Sequence, residues 1–389
     1  MRVALVRGDS LNRYEMQSYE PLLAEWELVA FTSYDNPFDL DGLKIPIQRV
    51  HASTELFRFF PSAVRRYLDF TIRHVLEVHA PFVNLTEKLK DFDIIHSADA
   101  HYYYSYQAVQ AKKRHGCKVV ITQWENIPFL FEQRGWARRR KQKTLAQADL
   151  FMAVTERAKE ALILEGVPAE KIRVVPVGID LSRFQLAGRD PSLSATLGIE
   201  TKDKVILYVG RLVRSKGLFE LFNAFARLLR DPAMRDQPVK LLCVGSGDQN
   251  LVAPMLERLG IADRVLLAGS FTYDKMPAIH NLADVLVLPS VPTYRWREQF
   301  GMVLLESMAC CKAVISTYSG SIPEVIGDAG ILVQPYDHFS LYEALKKVLL
   351  DDSLRQHLGQ KARARVESQF DCRMIAHRID EAYRSLFNK

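Results

Sequence analysis

Short apolar, β-branched runs recur at Val3–Val6, Leu28–Phe31, Ile94–Ile95, Val119–Thr122, Leu150–Val154 and Ile172–Val175, separated by amphipathic stretches long enough to be helices. This alternation predicts strands joined by crossover helices. A second series follows at Val205–Val209, Leu241–Val244, Val265–Leu267, Val285–Leu288, Val314–Ile315 and Ile331–Val333. Its runs are almost wholly apolar, the pattern of parallel strands covered on both faces. Between the two series, Gly178–Lys204 is rich in Asp, Ser and Gly and holds no long apolar run, which marks a domain junction.

The predicted fold class is α/β: two doubly wound, Rossmann-like domains facing a cleft, with C-terminal closing helices. The expected divisions are an N-terminal domain at 1–180, a linker at 181–203 and a C-terminal domain at 204–365. A terminal helix at 366–389 is expected to pack back on the N-terminal domain. In such sheets ligands sit beyond the carboxyl ends of the strands, so the loops just after the strands should carry the chemistry.

Composition narrows the class. A chain of 389 residues, 48% of them hydrophobic, has enough apolar surface for about two cores. Its five cysteines are odd in number and show no Cys-x-x-Cys spacing, which argues against a disulfide framework or zinc site and for a reducing, cytoplasmic setting. The leading run is broken at Arg7, as in a first strand rather than a secretory leader. No apolar segment approaches the roughly 20 residues that span a bilayer.

The formal net charge of +6 is concentrated at Lys112–Arg114 and Arg134–Lys143. These clusters read first as solvated helix faces and second as contacts for an anionic membrane surface; nucleic acid is not an expected partner. Leu56–Phe60 and Val64–Arg73 mix Arg with large apolar residues, as interfacial helices and core-packed helices both do.

After the Val205 strand, Gly210-Arg211-Leu212-Val213-Arg214-Ser215-Lys216-Gly217 leads into a helix with an apolar stripe at Leu218, Leu221, Phe222, Phe225, Leu228 and Leu229. A helix start with Arg211 and Lys216 beside it could hold a diphosphate, the alternative being two solvated surface cations. Gly245-Ser246-Gly247 invites a dinucleotide reading, but Asn250 stands where the third glycine of that fingerprint belongs. Gly8 follows the first strand, where a missing Cβ would let backbone approach a ligand.

Glu298 and Glu306 flank the start of an otherwise apolar helix beginning near Phe300 or Gly301. Were the whole span helical, eight residues would separate the two carboxylates by about 12 Å. That suits a ligand with a sugar at one end, a diphosphate over the helix start, and a ribose further along, since carboxylates accept from pairs of hydroxyls. Ser319–Ile326 reads as a turn handing over to a helix, or as a second wall of the same pocket.

The ordered set Gly210-Arg211…Lys216-Gly217, Gly245-Ser246-Gly247, Glu298-Gln299-Phe300-Gly301…Glu306-Ser307-Met308-Ala309 and Pro323-Glu324-Val325 resembles family 4 of the retaining glycosyltransferases, of GT-B fold. The resemblance covers the C-terminal half. It implies transfer of a hexose-type sugar from a nucleoside-diphosphate-sugar to a saccharide, lipid-linked or small-molecule hydroxyl, as in cell-surface polysaccharide or glycoconjugate synthesis. It further implies that Glu298, Arg211 and Lys216 are catalytic and that no metal or cofactor takes part. By the same likeness Gly8, Gly210, Gly245, Phe300, Gly301, Met302 and Glu306 bind the donor, with Phe271 in the loop that holds the nucleobase.

The N-terminal half matches more loosely, at Asp93–His96, Ala148–Leu150 and Pro176–Asp180. Trp124 stands where many relatives have histidine, which leaves His101, Glu125 and Asn126 as acceptor-side candidates. A nucleotide-sugar epimerase, a non-catalytic nucleotide-sugar-binding protein and an NAD-dependent oxidoreductase are the rival readings, the last weakened by Asn250.

Overall fold

The structure is a computed structural model that describes residues 1–52, 55, 60–61, 64, 66–68, 71 and 81–388. Most of the two Arg-and-aromatic segments between 56 and 73 lies outside the described residues. The chain divides into two compact units, one of Met1–Gly178 with Cys372–Lys389, the other of Ile179–Asp371.

In the first unit the described residues form a parallel sheet of order β3-β2-β1-β4-β5-β6-β7. Its strands are β1 (Arg2–Val6), β2 (Glu27–Ser33), β3 (Ile47–Val50), β4 (Ile94–Ala98), β5 (Lys118–Gln123), β6 (Leu150–Ala153) and β7 (Ile172–Val174). The interior strands β1 and β6 are buried almost end to end, which accounts for their apolar runs, and β4 is buried throughout with His96 and Ser97 among its residues. Strand β3 was not expected from its residues: among the described residues it pairs only with β2, and its first three positions stay partly or fully open to solvent, so it has no apolar run to betray it.

Helix Cys372–Arg384 completes this unit. It sends Ile375, Ala376, Ile379, Ala382 and Tyr383 into the same core as Val3, Leu5, Leu28 and Ile94. Its role is therefore to close a core, and Tyr383 reaches zero exposure.

The second unit holds a parallel sheet of order β10-β9-β8-β11-β12-β13 among the described residues. These strands are β8 (Lys204–Val209), β9 (Val239–Val244), β10 (Val265–Leu267), β11 (Val285–Leu288), β12 (Ala313–Thr317) and β13 (Ile331–Val333). Helix Leu218–Arg230 lays Leu218, Leu221, Phe222, Phe225 and Leu228 onto it, each fully buried apolar side chain contributing about 1.5–3 kcal/mol. The stretch 181–203 is not a free linker. Phe184 is wholly buried, its ring 5.7 Å from that of Tyr273 and 6.0 Å from that of His280, and Pro191–Thr196 is helical, so the segment folds as part of the second unit.

Candidate functional site

Strand order in the second sheet reverses between β8 and β11, which pair directly through Val285 with Ile206 and Leu286 with Leu207. At such a switch point the loops leaving adjacent strands diverge to opposite faces and open a crevice at the carboxyl edge. The loop after β8 carries Arg211 and Lys216, and the loop after β11 carries Ser290 and Glu298. The two are laced together by the Val291 amide donating to the Ser215 carbonyl at 2.9 Å. Gly217 makes the approach possible, since a Cβ there would lie 1.8 Å from the Pro289 carbonyl oxygen.

Across this crevice Lys216 Nζ donates to Glu298 Oε2 at 2.7 Å, and Ser290 Oγ donates to the same oxygen at 2.7 Å. Lys216 also stands 4.9 Å from the centre of the Trp296 ring. Glu298 is only 7% exposed, so the ammonium and hydroxyl supply what burial of a carboxylate demands. Its backbone is held from the other side, where the Ser321 amide donates to the Glu298 carbonyl at 2.9 Å. Arg211 is exposed, and its own carbonyl accepts from Tyr208 Oη at 2.6 Å.

Gly301 precedes helix Met302–Ala309 with φ +88, a left-handed conformation that glycine adopts without steric cost. The Glu298–Gly301 segment is thus a loop that ends on a helix start, and Met302 is the first helical residue. The Phe300 side chain faces the core, its ring edge-on to Phe370 at 6.0 Å. Gly210 and Gly245 lie in neighbouring loops: a Cβ on Gly245 would fall 2.1 Å from the Gly210 carbonyl oxygen. Phe271 is half-buried in the loop after β10, which is tied back by the Gly245 amide donating to Gly269 at 2.7 Å.

Leu304, Leu305, Ser307, Met308 and Ala309 bury helix Met302–Ala309 nearly all round, so Glu306 needs a polar partner. It has one in His280, fully buried on helix Met276–Leu282, with Nε2 3.0 Å from Glu306 Oε2. The other ring nitrogen, Nδ1, lies 2.7 Å from Ser307 Oγ.

In the first unit, the space a Cβ on Gly8 would occupy is taken by the Tyr104 ring, 2.6 Å away, so this glycine admits the chain's own side chain. His101 is stacked on Phe131 at 4.1 Å between ring centres and lies 4.2 Å from the Tyr102 ring. Glu125 turns its carboxylate back to the Ile127 amide at 2.9 Å, and Asn126 beside it is buried. The residue that organises this loop is Asp99. Held at φ +46 just after β4, it accepts from the Trp124 and Glu125 amides at 2.9 and 3.0 Å. Burial pushes its carboxyl up to about 7 against the pull of those amides, with the Glu125 charge adding to the rise.

Beneath it runs a buried polar chain. Arg7 donates to Glu15 at 2.7 Å, to the His96 carbonyl at 2.9 Å and to Tyr19 Oη at 3.0 Å. His96 joins Thr122 Oγ1 at 2.7 Å and Tyr383 Oη at 2.6 Å. Burial, with the Arg7 charge nearby, holds the His96 imidazole well below its usual range.

The structure therefore joins Lys216 to Glu298, sets Glu306 in a separate pair with His280, and ties the Trp124 and Glu125 backbone to Asp99. Ser290, Trp296, His280 and Asp99 were not singled out from the sequence. Ser290 and Asp99 come one or two residues after strands, which is the signal that could have found them. His280 sits in an apolar helix, where a histidine reads as core.

A family model described as Glycosyltransferase Family 4 matches residues 29–183, and one described as Glycosyl transferases group 1 matches residues 190–365. A D-inositol 3-phosphate glycosyltransferase of Corynebacterium jeikeium (strain K411) is 34% identical over 258 residues, which is 63% of this chain and 59% of the relative. Its namesake from Salinispora arenicola (strain CNS-205) is 30% identical over 295 residues, 70% of this chain and 64% of the relative. The chain spans 59–64% of the length of these curated relatives. Among solved structures, Anabaena HepE in complex with UDP superposes with a TM-score of 0.76 at 19% identity, covering 99% of this chain and 100% of the other. The sucrose-phosphate synthase of Thermosynechococcus elongatus does so with 0.76 at 22%, covering 100% and 99%. At such identities the likeness is one of fold, two Rossmann-like α/β domains of the GT-B type. With a glycosyltransferase family model matched on each half of the chain, the protein belongs to the family 4 glycosyltransferases.

Proposed function

We propose that the chain is a retaining glycosyltransferase that moves a hexose-type sugar from a nucleoside diphosphate to an acceptor hydroxyl. The observation that carries this reading is the convergence of Lys216 and Ser290 on the buried Glu298 at the β8/β11 switch point. Breaking a sugar–phosphate bond puts negative charge on the departing diphosphate. Lys216, Arg211 and the amides at the start of helix Met302–Ala309 would stabilise that charge, a role that elsewhere falls to a metal ion. Glu298 would orient the sugar through its hydroxyls, and Glu306 would take the ribose hydroxyls. In a front-face transfer, a leaving-phosphate oxygen accepts the proton of the acceptor hydroxyl as that hydroxyl's oxygen bonds to the anomeric carbon on the same side.

The Anabaena neighbour was also solved with UDP-glucose, which supports uridine-diphosphate sugars as the first donors to test. The relatives' names support a polyol phosphate as one acceptor class, beside saccharides and lipid-linked acceptors of cell-surface glycoconjugate synthesis. A thermal-shift screen with UDP-, GDP- and ADP-sugars tests the donor, because a ligand that binds only the native state raises its melting temperature. Glu298→Gln and Arg211→Ala should then each depress sugar transfer in a folded protein; full activity in both would sink the assignment.

Peripheral contact with an anionic membrane is a further part of this reading. Helix Gly135–Gln147 leaves Trp136 47% exposed and Arg138, Arg139 and Lys143 facing solvent, which supports interfacial attraction. No helix among the described residues is long and apolar enough to cross a membrane. Equal weak binding to anionic and neutral vesicles would remove this contact.

A further inference from the structure

Glu306 and Ser307 are consecutive residues of one helix, and a single imidazole from another helix bonds to both. His280 Nε2 stands 3.0 Å from Glu306 Oε2, and His280 Nδ1 stands 2.7 Å from Ser307 Oγ. His280 and Ser307 have zero exposure and Glu306 has 5%. A carboxylate only accepts, so in the neutral ring Nε2 carries the hydrogen and donates to Glu306, while Nδ1 accepts from the Ser307 hydroxyl. The ring is fixed in turn by the edge of Phe184, 6.0 Å away between centres. Turning Glu306 to another rotamer would strand a buried N–H, which penalises every orientation but one.

We propose that His280 is a positioning residue, and that the Ser307–His280–Glu306 chain makes the site selective for ribonucleotides over deoxyribonucleotides. The inference rests on the nucleotide-sugar reading, in which Glu306 faces the ribose. One carboxylate oxygen is committed to His280, and the carboxylate plane is fixed by that bond. The acceptor capacity left over is then presented to a vicinal diol in one geometry, and a sugar lacking one hydroxyl leaves part of it unmatched. Discrimination of this kind is large when a site's buried polar groups lose their partner and small when the carboxylate can rotate to compensate.

The test titrates the full chain with UDP, GDP and ADP and compares whichever binds with its 2′-deoxy form. The wild-type chain should prefer the ribonucleotide by about ten-fold or more. His280→Phe should bring the ratio towards one while leaving affinity for the deoxy form within a few-fold. His280→Gln, which can still donate to Glu306, should recover part of the preference. Ser307→Ala removes only a hydroxyl and should lower the ratio as well, so it carries the test where His280→Phe fails to fold. Binding with no ribose preference in the wild type, or an unchanged preference in folded His280→Phe or Ser307→Ala, overturns the role of His280 alone. If none of the three diphosphates binds, the nucleotide-sugar reading falls and takes this inference with it.

Discussion

Lys216 Nζ lies 2.7 Å from Glu298 Oε2, and the pair spans the point where the strand order of the second sheet reverses. A lysine and a glutamate whose side chains are 15% and 9% exposed constrain each other, so each fixes the other's place in the crevice. Glu298→Gln keeps an oxygen for Ser290 but removes the charge that holds Lys216. It is expected to abolish the extra affinity of a sugar nucleotide over the bare diphosphate, with diphosphate affinity itself changing only a few-fold. Lys216→Met should lower the transfer rate by about 10²–10³-fold, the usual effect of losing one donor to a developing negative charge. Calorimetry on donor and diphosphate, with single-turnover rates, checks both; an undiminished sugar increment in Glu298→Gln would count against the role given to Glu298.

Gly320 packs against the backbone of Glu298. It has φ +55, and a Cβ there would lie 2.0 Å from the Glu298 carbonyl oxygen. Gly320→Ala must therefore move the Glu298 backbone as well as strain its own, and misplacement by even an ångström at a reacting centre can cost about 10²-fold. We expect a loss of more than ten-fold in transfer together with destabilisation of at least about 1 kcal/mol. Gly116→Ala is the comparison, with φ +78 and nothing within 4 Å of the added carbon. It should show the backbone strain alone and full activity. Equal activity losses in the two variants would refute the steric argument.

How much of this was legible depends on what a residue's neighbours in sequence reveal. The buried parallel strands were readable because both faces are covered, which forces continuous apolar runs such as Val205–Val209. The edge strand Ile47–Val50 pairs with one strand among the described residues and leaves its first three positions partly or fully open, so it left no such mark. Arg211, Lys216 and Glu298 were readable as polar residues after strands, helped by the family resemblance. His280 was not, because only folding brings it between Glu306 and Ser307, 26 and 27 residues away. Left-handed backbone at Asp99 is equally invisible, since nothing in His96-Ser97-Ala98-Asp99 requires a positive φ.

Tyr383 belongs to the same class of residues whose partner lies far away in sequence. Its hydroxyl meets His96 Nδ1 at 2.6 Å, and its ring packs edge-on to Trp26 at 5.3 Å. Tyr383→Phe preserves the packing but leaves a buried ring nitrogen of His96 without its partner, which costs about 1–3 kcal/mol. For a unit of this size that is a fall in melting temperature of about 2–4 °C per kcal/mol. Denaturant titration of the variant should show a lower midpoint at unchanged slope. No shift would mean the hydroxyl contributes nothing net.

Asp99 gives stability an unusual dependence on pH. Its carboxyl titrates near 7 in the folded protein, chiefly because it is buried, against about 3.9 in an unfolded chain. Between those values the folded state holds a proton that the unfolded state has released. Stability from this group therefore falls as pH rises through the window, by up to about 1.4 kcal/mol per pH unit, and levels off above pH 7. Asp99→Asn can still accept from the Trp124 and Glu125 amides through Oδ1 but cannot titrate. The stability of Asp99→Asn relative to the wild type should thus climb from pH 4 to pH 7 and stay level above. His96 acts in the opposite sense, since its buried neutral ring refuses the proton that an unfolded histidine takes below about 6.5. That contribution is common to both proteins and cancels in the difference. Urea titrations at pH 4.5, 6 and 7.5 measure the difference directly, and parallel curves would show that Asp99 is ionised throughout.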